Sequence, residues 1–178
     1  FTPQPHWDGP YFGADWGFAK DPTALIKCWI AGRTLYVEHE VYGVGIEQDD
    51  LAPRFKEIPG ADQHLIRGDN ARPETISHVR KSGLNVISAK KWAGSVEDGI
   101  ATLRSFDRIV IHPRCKHTAE EARLWSYKID KLTGDVLPVL VQKHDHAWDA
   151  IRYALEPIVG KDVAGISVYG RQFKARTH

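Results

Sequence analysis

Before residue 43 the chain carries three strand-type runs, at 11–18, 24–31 and 33–42, and from residue 63 onward it alternates between strand and helix patterns. The Ile, Val, Trp and Tyr content of the first three runs, with the tight Ala31-Gly32 break between the last two, predicts an antiparallel meander. A meander that must share its sheet with later strand-helix units predicts an α/β fold: a central mixed sheet flanked by helices.

The intervening segments supply the details. Residues 46–58 have a helical pattern broken by Pro53 and stopped by Pro59-Gly60, and 63–69 is a short apolar strand. Pro73 suits the first turn of a helix to about Ser82, and Gly83 suits its stop. After a strand at 85–89, Ser95-Val96-Glu97-Asp98 reads as a capping box, opening a helix to about Phe106 with Val96, Ile100 and Leu103 on one face. A strand at 108–112 follows. Thr118-Ala119-Glu120-Glu121 repeats the capping signal and opens a helix to about Trp125. Thr133-Gly134-Asp135 separates the arms 127–132 and 136–142 of an added β-hairpin. A last long helix runs from about Asp145 to Pro157. One domain over 1–160 and a C-terminal tail at 161–178 are expected.

With 178 residues, 42% hydrophobic and 26% charged, the chain is large enough for a substantial core and too apolar for a disordered segment. No apolar run approaches the roughly 20 residues of a membrane span, and no signal-peptide pattern opens it, so a soluble, intracellular protein is expected. It lacks methionine and starts Phe-Thr-Pro, which suggests part of a longer polypeptide. Cys28 and Cys115 lie far apart with no metal-ligand spacing and are expected as buried, reduced thiols. The net charge of +1 says little about nucleic acid by itself. Basic residues nevertheless group at Lys90-Lys91, 108–116, 128–131 and 171–178.

Three acidic motifs stand out: Gly13-Ala14-Asp15-Trp16-Gly17, Ile66-Arg67-Gly68-Asp69-Asn70, and His146-Ala147-Trp148-Asp149-Ala150-Ile151-Arg152-Tyr153. Asp15 and Asp69 end predicted strands, and Asp149 lies on the inner side of the last helix. If these elements are neighbours, three carboxylates converge, and they cannot all stay ionised without a compensating cation. Gly13 and Gly17 fit close approach of a ligand, or a bulge. His146 lies three residues before Asp149, on the same helical face. Asp145 is expected to cap the helix start rather than bind metal. His144 has no assigned role. Oxygen ligands with little cysteine favour Mg²⁺ or Mn²⁺, and a pair of ions about 4 Å apart suits phosphodiester hydrolysis. Lys90-Lys91-Trp92, in a strand-to-helix loop, is placed to track a phosphate backbone; Arg72, close to Asp69 in sequence, is placed to bind phosphate or to steady Asp69, and Lys128 and Lys131 on the hairpin to steer a duplex past the site.

Taken together, Asp15 in Gly-Ala-Asp-Trp-Gly-Phe-Ala-Lys-Asp-Pro-Thr, Asp69 in Gly-Asp-Asn-Ala-Arg-Pro, Lys90-Lys91-Trp-Ala-Gly-Ser, the stretch 121–127 and Asp149 in His-Ala-Trp-Asp-Ala-Ile-Arg-Tyr resemble the C-terminal nuclease domain of tailed-bacteriophage terminase large subunits, over roughly 11–157. The resemblance implies an RNase H-like fold and a metal-dependent endonuclease that cuts concatemeric viral double-stranded DNA during packaging. Asp15, Asp69 and Asp149 fall at the family's metal positions, and His146 where some relatives place an accessory histidine. It further implies a packaging ATPase domain in the same protein, the small terminase subunit and the portal as partners, and the host cell cytoplasm as the location. No GxxxxGK[ST] phosphate loop occurs here, so ATP hydrolysis is not expected of this chain. The alternatives are another RNase H-like nuclease of resolvase or transposase type, and a DNA-clamping module active only with the motor.

Overall fold

A computed structural model describes residues 1–17, 19–125, 127–141 and 144–159. The expected tail at 161–178, the strand end at Phe18 and the hairpin end at Gln142 lie outside the described residues.

The meander is β1 (Asp8–Asp15), β2 (Pro22–Ala31) and β3 (Thr34–Val44), each antiparallel to the next. Gly32, with φ +57°, starts the two-residue loop between β2 and β3. Helix α1 (Gln48–Phe55) leads to β4 (Ile66–Gly68), which pairs parallel with β1. Helix α2 (Pro73–Lys81) returns the chain to β5 (Val86–Ser88), parallel with β4. Helix α3 (Ser95–Ser105) leads to β6 (Arg108–Ile111), which crosses to the far edge and pairs parallel with β3. The sheet order is therefore β5-β4-β1-β2-β3-β6. Helix α4 (Lys116–Leu124), the separate hairpin of β7 (Tyr127–Ile129) and β8 (Val136–Leu140), and α5 (His146–Ala154) complete the fold.

Strand β2 is central, and its side chains alternate between two cores. Ala24, Ile26, Cys28 and Ile30 join Leu103 of α3 and Trp148 and Ile151 of α5. Leu25 faces the other way, with Phe12, Phe55 of α1 and Val79 of α2. Each large apolar side chain so buried contributes about 1.5–3 kcal/mol relative to exposure, which is what holds helices on both faces. Cys28 and Cys115 are free and buried, as expected. Among the described residues no helix is long and apolar enough to cross a membrane.

Three local expectations need correction. Pro53 lies inside α1 without breaking it, because Leu51, Ala52 and Phe55 bury the same face and outweigh one missing N–H. Ser95 is not an N-cap: that position belongs to Gly94 at φ +85°, and the Asp98 carboxylate that would complete the box accepts the Trp92 indole N–H at 2.7 Å. Thr118 is not an N-cap either. Helix α4 begins earlier and is capped from β3, where the Glu40 carboxylate accepts the His117 and Thr118 amides and the Thr118 hydroxyl at 2.8–2.9 Å.

Candidate functional site

Strands β1 and β4 run in parallel with Ala14 opposite Gly68, and the Asp69 amide donates to the Ala14 carbonyl at 2.9 Å. Asp15 and Asp69 therefore leave the sheet side by side at one edge. Trp16 holds this edge: its indole N–H donates to the Asp69 carbonyl at 2.9 Å and its ring stacks on Phe55. The indole lies so close over Gly68 that a Cβ there would meet it at 2.5 Å.

Helix α5 crosses β1 at Gly13. A Cβ on Gly13 would fall 1.9 Å from the Ala150 carbonyl oxygen and 2.5 Å from the Ala154 amide nitrogen, and both alanines are fully buried. Gly13 thus admits a helix, not a ligand or a bulge, and by seating α5 it brings Asp149 and His146 to the end of β1. Gly17 meets its own loop: a Cβ would lie 2.1 Å from the Asp21 carbonyl oxygen, and its amide donates to the Thr23 hydroxyl.

Each of the three aspartates has a basic partner. Asp15 Oδ2 lies 2.9 Å from His146 Nδ1. Asp69 accepts from the Lys91 ammonium. Asp149 Oδ1 accepts from Arg152 Nε at 3.1 Å and Nη2 at 2.6 Å. Burial pushes the Asp15 carboxyl above the usual range; the His146 hydrogen bond opposes the shift, while Asp149 and Asp69 add to it. The hydrogen bond to Asp15 in turn raises His146 against the effect of burial. Asp145 is pushed up to about 6, first by burial and then by Asp149. The Tyr153 hydroxyl is raised by burial and then by Asp149, Asp69 and Asp15, so all three carboxylates act on one ring.

Among the described residues no three His, Cys, Asp or Glu side chains are already gathered around one point as ligands. The carboxylates converge, but Asp69 and Asp149 turn to Lys91 and Arg152. The donor set still suits a hard divalent cation: carboxylate oxygens, one imidazole, and neighbouring negative charges that add to burial in raising the Asp15 and Asp145 carboxyls.

Helix α5 has an unexpected support. Asp145 occupies its N-cap position but makes no side-chain cap hydrogen bond. The cap comes from α4: Glu121, 3% exposed, accepts the Ala147 amide at 2.8 Å and the Tyr42 hydroxyl at 2.8 Å. Burial raises its carboxyl, with those bonds opposing. Nothing in the sequence marks Glu121 for this role, since only the packing of α4 turns its carboxylate inward. Glu121→Ala would leave the buried Ala147 amide and the half-buried Tyr42 hydroxyl without this partner and is expected to cost about 2–3 kcal/mol in urea unfolding. Glu121→Gln keeps a carbonyl oxygen for Ala147 and should lose clearly less; equal midpoints for alanine and wild type would refute the cap.

Beside the carboxylates lies a cleft of about 240 Å³, whose walls include Lys90, Lys91, Trp92, Asp145, Asp149 and Arg152. Of the sequence-predicted basic residues, only Lys90 and Lys91 line it. Arg72 is half-buried at the start of α2. Lys128 and Lys131 are exposed on the hairpin, away from the cleft walls. His144, with φ +58°, sits in the turn into α5.

A family model described as the terminase RNase H-like domain matches residues 15–157. The large terminase subunit of Bacillus phage SPP1 is 32% identical over 163 residues, which is 89% of this chain and 38% of that protein. The PBSX phage terminase large subunit of Bacillus subtilis (strain 168) is 27% identical over 146 residues, 81% of this chain and 33% of that protein. The chain thus spans between a third and two fifths of the length of these relatives. The crystal structure of the SPP1 large terminase nuclease domain with bound Mn superimposes with a TM-score of 0.79 at 28% identity, covering 86% of this chain and 89% of that one.

Proposed function

Because the chain belongs to the terminase RNase H-like domain family, we propose that it is the metal-dependent endonuclease part of a terminase large subunit, cutting concatemeric viral double-stranded DNA during genome packaging. The observation that carries this reading is the convergence of Asp15, Asp69 and Asp149 from the ends of β1 and β4 and from α5, beside a cleft to which Lys90 and Lys91 contribute, in a chain similar to a nuclease domain with bound Mn.

In this reading Asp15, Asp69 and Asp149 hold Mg²⁺ or Mn²⁺, with two ions expected. Such ions supply a water of lowered pKa and stabilise the leaving oxygen of the phosphodiester. His146 fixes the rotamer of Asp15 through Nδ1, and Arg152 fixes that of Asp149. Lys90 and Lys91 take phosphates next to the cut, and Arg72, Lys128 and Lys131 take the backbone further away, so binding is salt sensitive and largely indifferent to sequence. A packaging ATPase domain of the same polypeptide, the small terminase subunit and the portal are the proposed partners, in the cytoplasm of the host cell.

The pairing of Asp69 and Asp149 with Lys91 and Arg152 favours one further reading, a clamping module that cuts only when the motor completes its site. Incubation with supercoiled plasmid in Mn²⁺, Mg²⁺ or EDTA separates the two. Metal-dependent nicking that EDTA stops is expected for a self-sufficient nuclease; intact plasmid under every metal would favour the clamp.

A further inference from the structure

Resting on the metal-site reading above, we propose that Lys91 is an exchangeable counter-ion: it occupies Asp69 in the absence of metal, a divalent cation displaces it, and the released ammonium takes a DNA phosphate in the adjacent cleft. Metal loading and DNA binding are thereby coupled through one side chain.

The two cations that hold Asp69 and Asp149 differ in kind. Arg152 is 9% exposed, its stem packs on α3 where a Cβ at Gly99 would meet Cδ at 2.9 Å, and two of its nitrogens bind one carboxylate oxygen. It is a fixed clamp on Asp149. The Lys91 side chain is 39% exposed, lies in the loop between β5 and α3, and gives one ammonium to Asp69. A lysine there has a flexible stem and a strongly hydrated head, so leaving a carboxylate for water or phosphate costs it little.

The route is short. Lys91 already lines the cleft, and its ammonium lies 5.6 Å from the centre of the Tyr153 ring, which also forms a wall. A divalent ion at Asp69 repels that ammonium, which leaves the aromatic face and the cleft interior as its nearest sites. A DNA phosphate there would replace the lost carboxylate. By linkage, the factor by which metal favours DNA binding through Lys91 equals the factor by which DNA favours metal.

Calorimetric titration of Mn²⁺ into the DNA-free chain reads the competition without reference to cutting. Lys91→Gln removes the competing charge and is expected to bind Mn²⁺ about five- to tenfold more tightly than wild type. Lys91→Arg keeps the charge and should stay near wild type, as should Lys81→Gln on α2. Fluorescence anisotropy of a labelled duplex, with and without Ca²⁺, reads the other half: the gain in DNA affinity on adding metal should be several-fold smaller in Lys91→Gln. If Lys91→Gln and wild type bind Mn²⁺ equally while Asp69→Ala loses it, the exchange is wrong and the metal site stands. If wild type binds no Mn²⁺, or Asp69→Ala binds it unchanged, the metal site itself is wrong and the exchange falls with it.

Discussion

Asp69→Ala is expected to lower metal-dependent cutting of supercoiled DNA by about a thousandfold or more, with a change in folding stability of no more than about 0.5 kcal/mol. The asymmetry follows from position. The Asp69 carboxylate serves no apolar core contact: it binds Lys91, whose side chain is partly exposed, and makes a 3.3 Å contact to the Ala71 amide. The backbone that places it is held independently by the Ala14 carbonyl and the Trp16 indole. Asp15 should show the asymmetry more sharply. Its folded-state pKa is raised, so the fold prefers the protonated form; that contribution is full below the ordinary carboxylate value and is lost as pH rises through the raised one. At neutral pH the ionised group therefore works against folding. Asp15→Asn, which keeps an oxygen near His146, should match or exceed wild-type stability while losing activity. Asp149→Ala should also be inactive, and His146→Ala should lose less than any of the three. Plasmid nicking in Mn²⁺, with urea unfolding of each variant, decides the matter: full activity in any aspartate variant would remove that residue from the site.

The features legible in the sequence were those written in local chemistry. β-branched and aromatic runs marked β1 to β3, Pro73 and Gly83 bracketed α2, and an aspartate at the end of an otherwise apolar strand stood out at Asp15 and Asp69. What is not legible depends on which partner each side chain finds once the elements pack. Both expected capping boxes fail because another group claims the residue: Trp92, six residues away, takes Asp98, and Glu40, 78 residues away, takes Thr118. Glu121 passes for a surface residue of an amphipathic helix until α4 and α5 are docked and its carboxylate caps α5. The neutralisation of Asp69 and Asp149 by Lys91 and Arg152 joins groups 22 and 3 residues apart, and only the second spacing is helical. Gly13 matters for its missing side chain, as the sequence suggests, but the space it frees belongs to a helix.

That space makes Gly13→Ala a damaging substitution despite its size. The new methyl would have to occupy a position 1.9 Å from the Ala150 carbonyl oxygen, 2.5 Å from the Ala154 amide nitrogen and 2.9 Å from the Ala154 Cβ. Two of those three atoms are helix backbone, so no side-chain rotation relieves the clash. Helix α5 must lift from β1, although its Ala147, Ala150, Ile151 and Ala154 are all fully buried. Overpacking a core typically costs about 1–3 kcal/mol, and a backbone clash belongs at or above the top of that range. Gly99→Ala is the informative contrast, because its methyl would meet only side-chain atoms, the nearest being Arg152 Cδ at 2.9 Å, and no helix backbone. We expect urea unfolding to place Gly13→Ala about 3 kcal/mol or more below wild type, with Gly99→Ala well above it. Lifting α5 also carries Asp149 and His146 away from Asp15, so Mn²⁺ affinity should fall in Gly13→Ala even where the chain remains folded. A Gly13→Ala chain with wild-type stability and wild-type Mn²⁺ binding would mean that α5 does not rest on β1 at this distance, and the convergence of the three carboxylates would lose its structural basis.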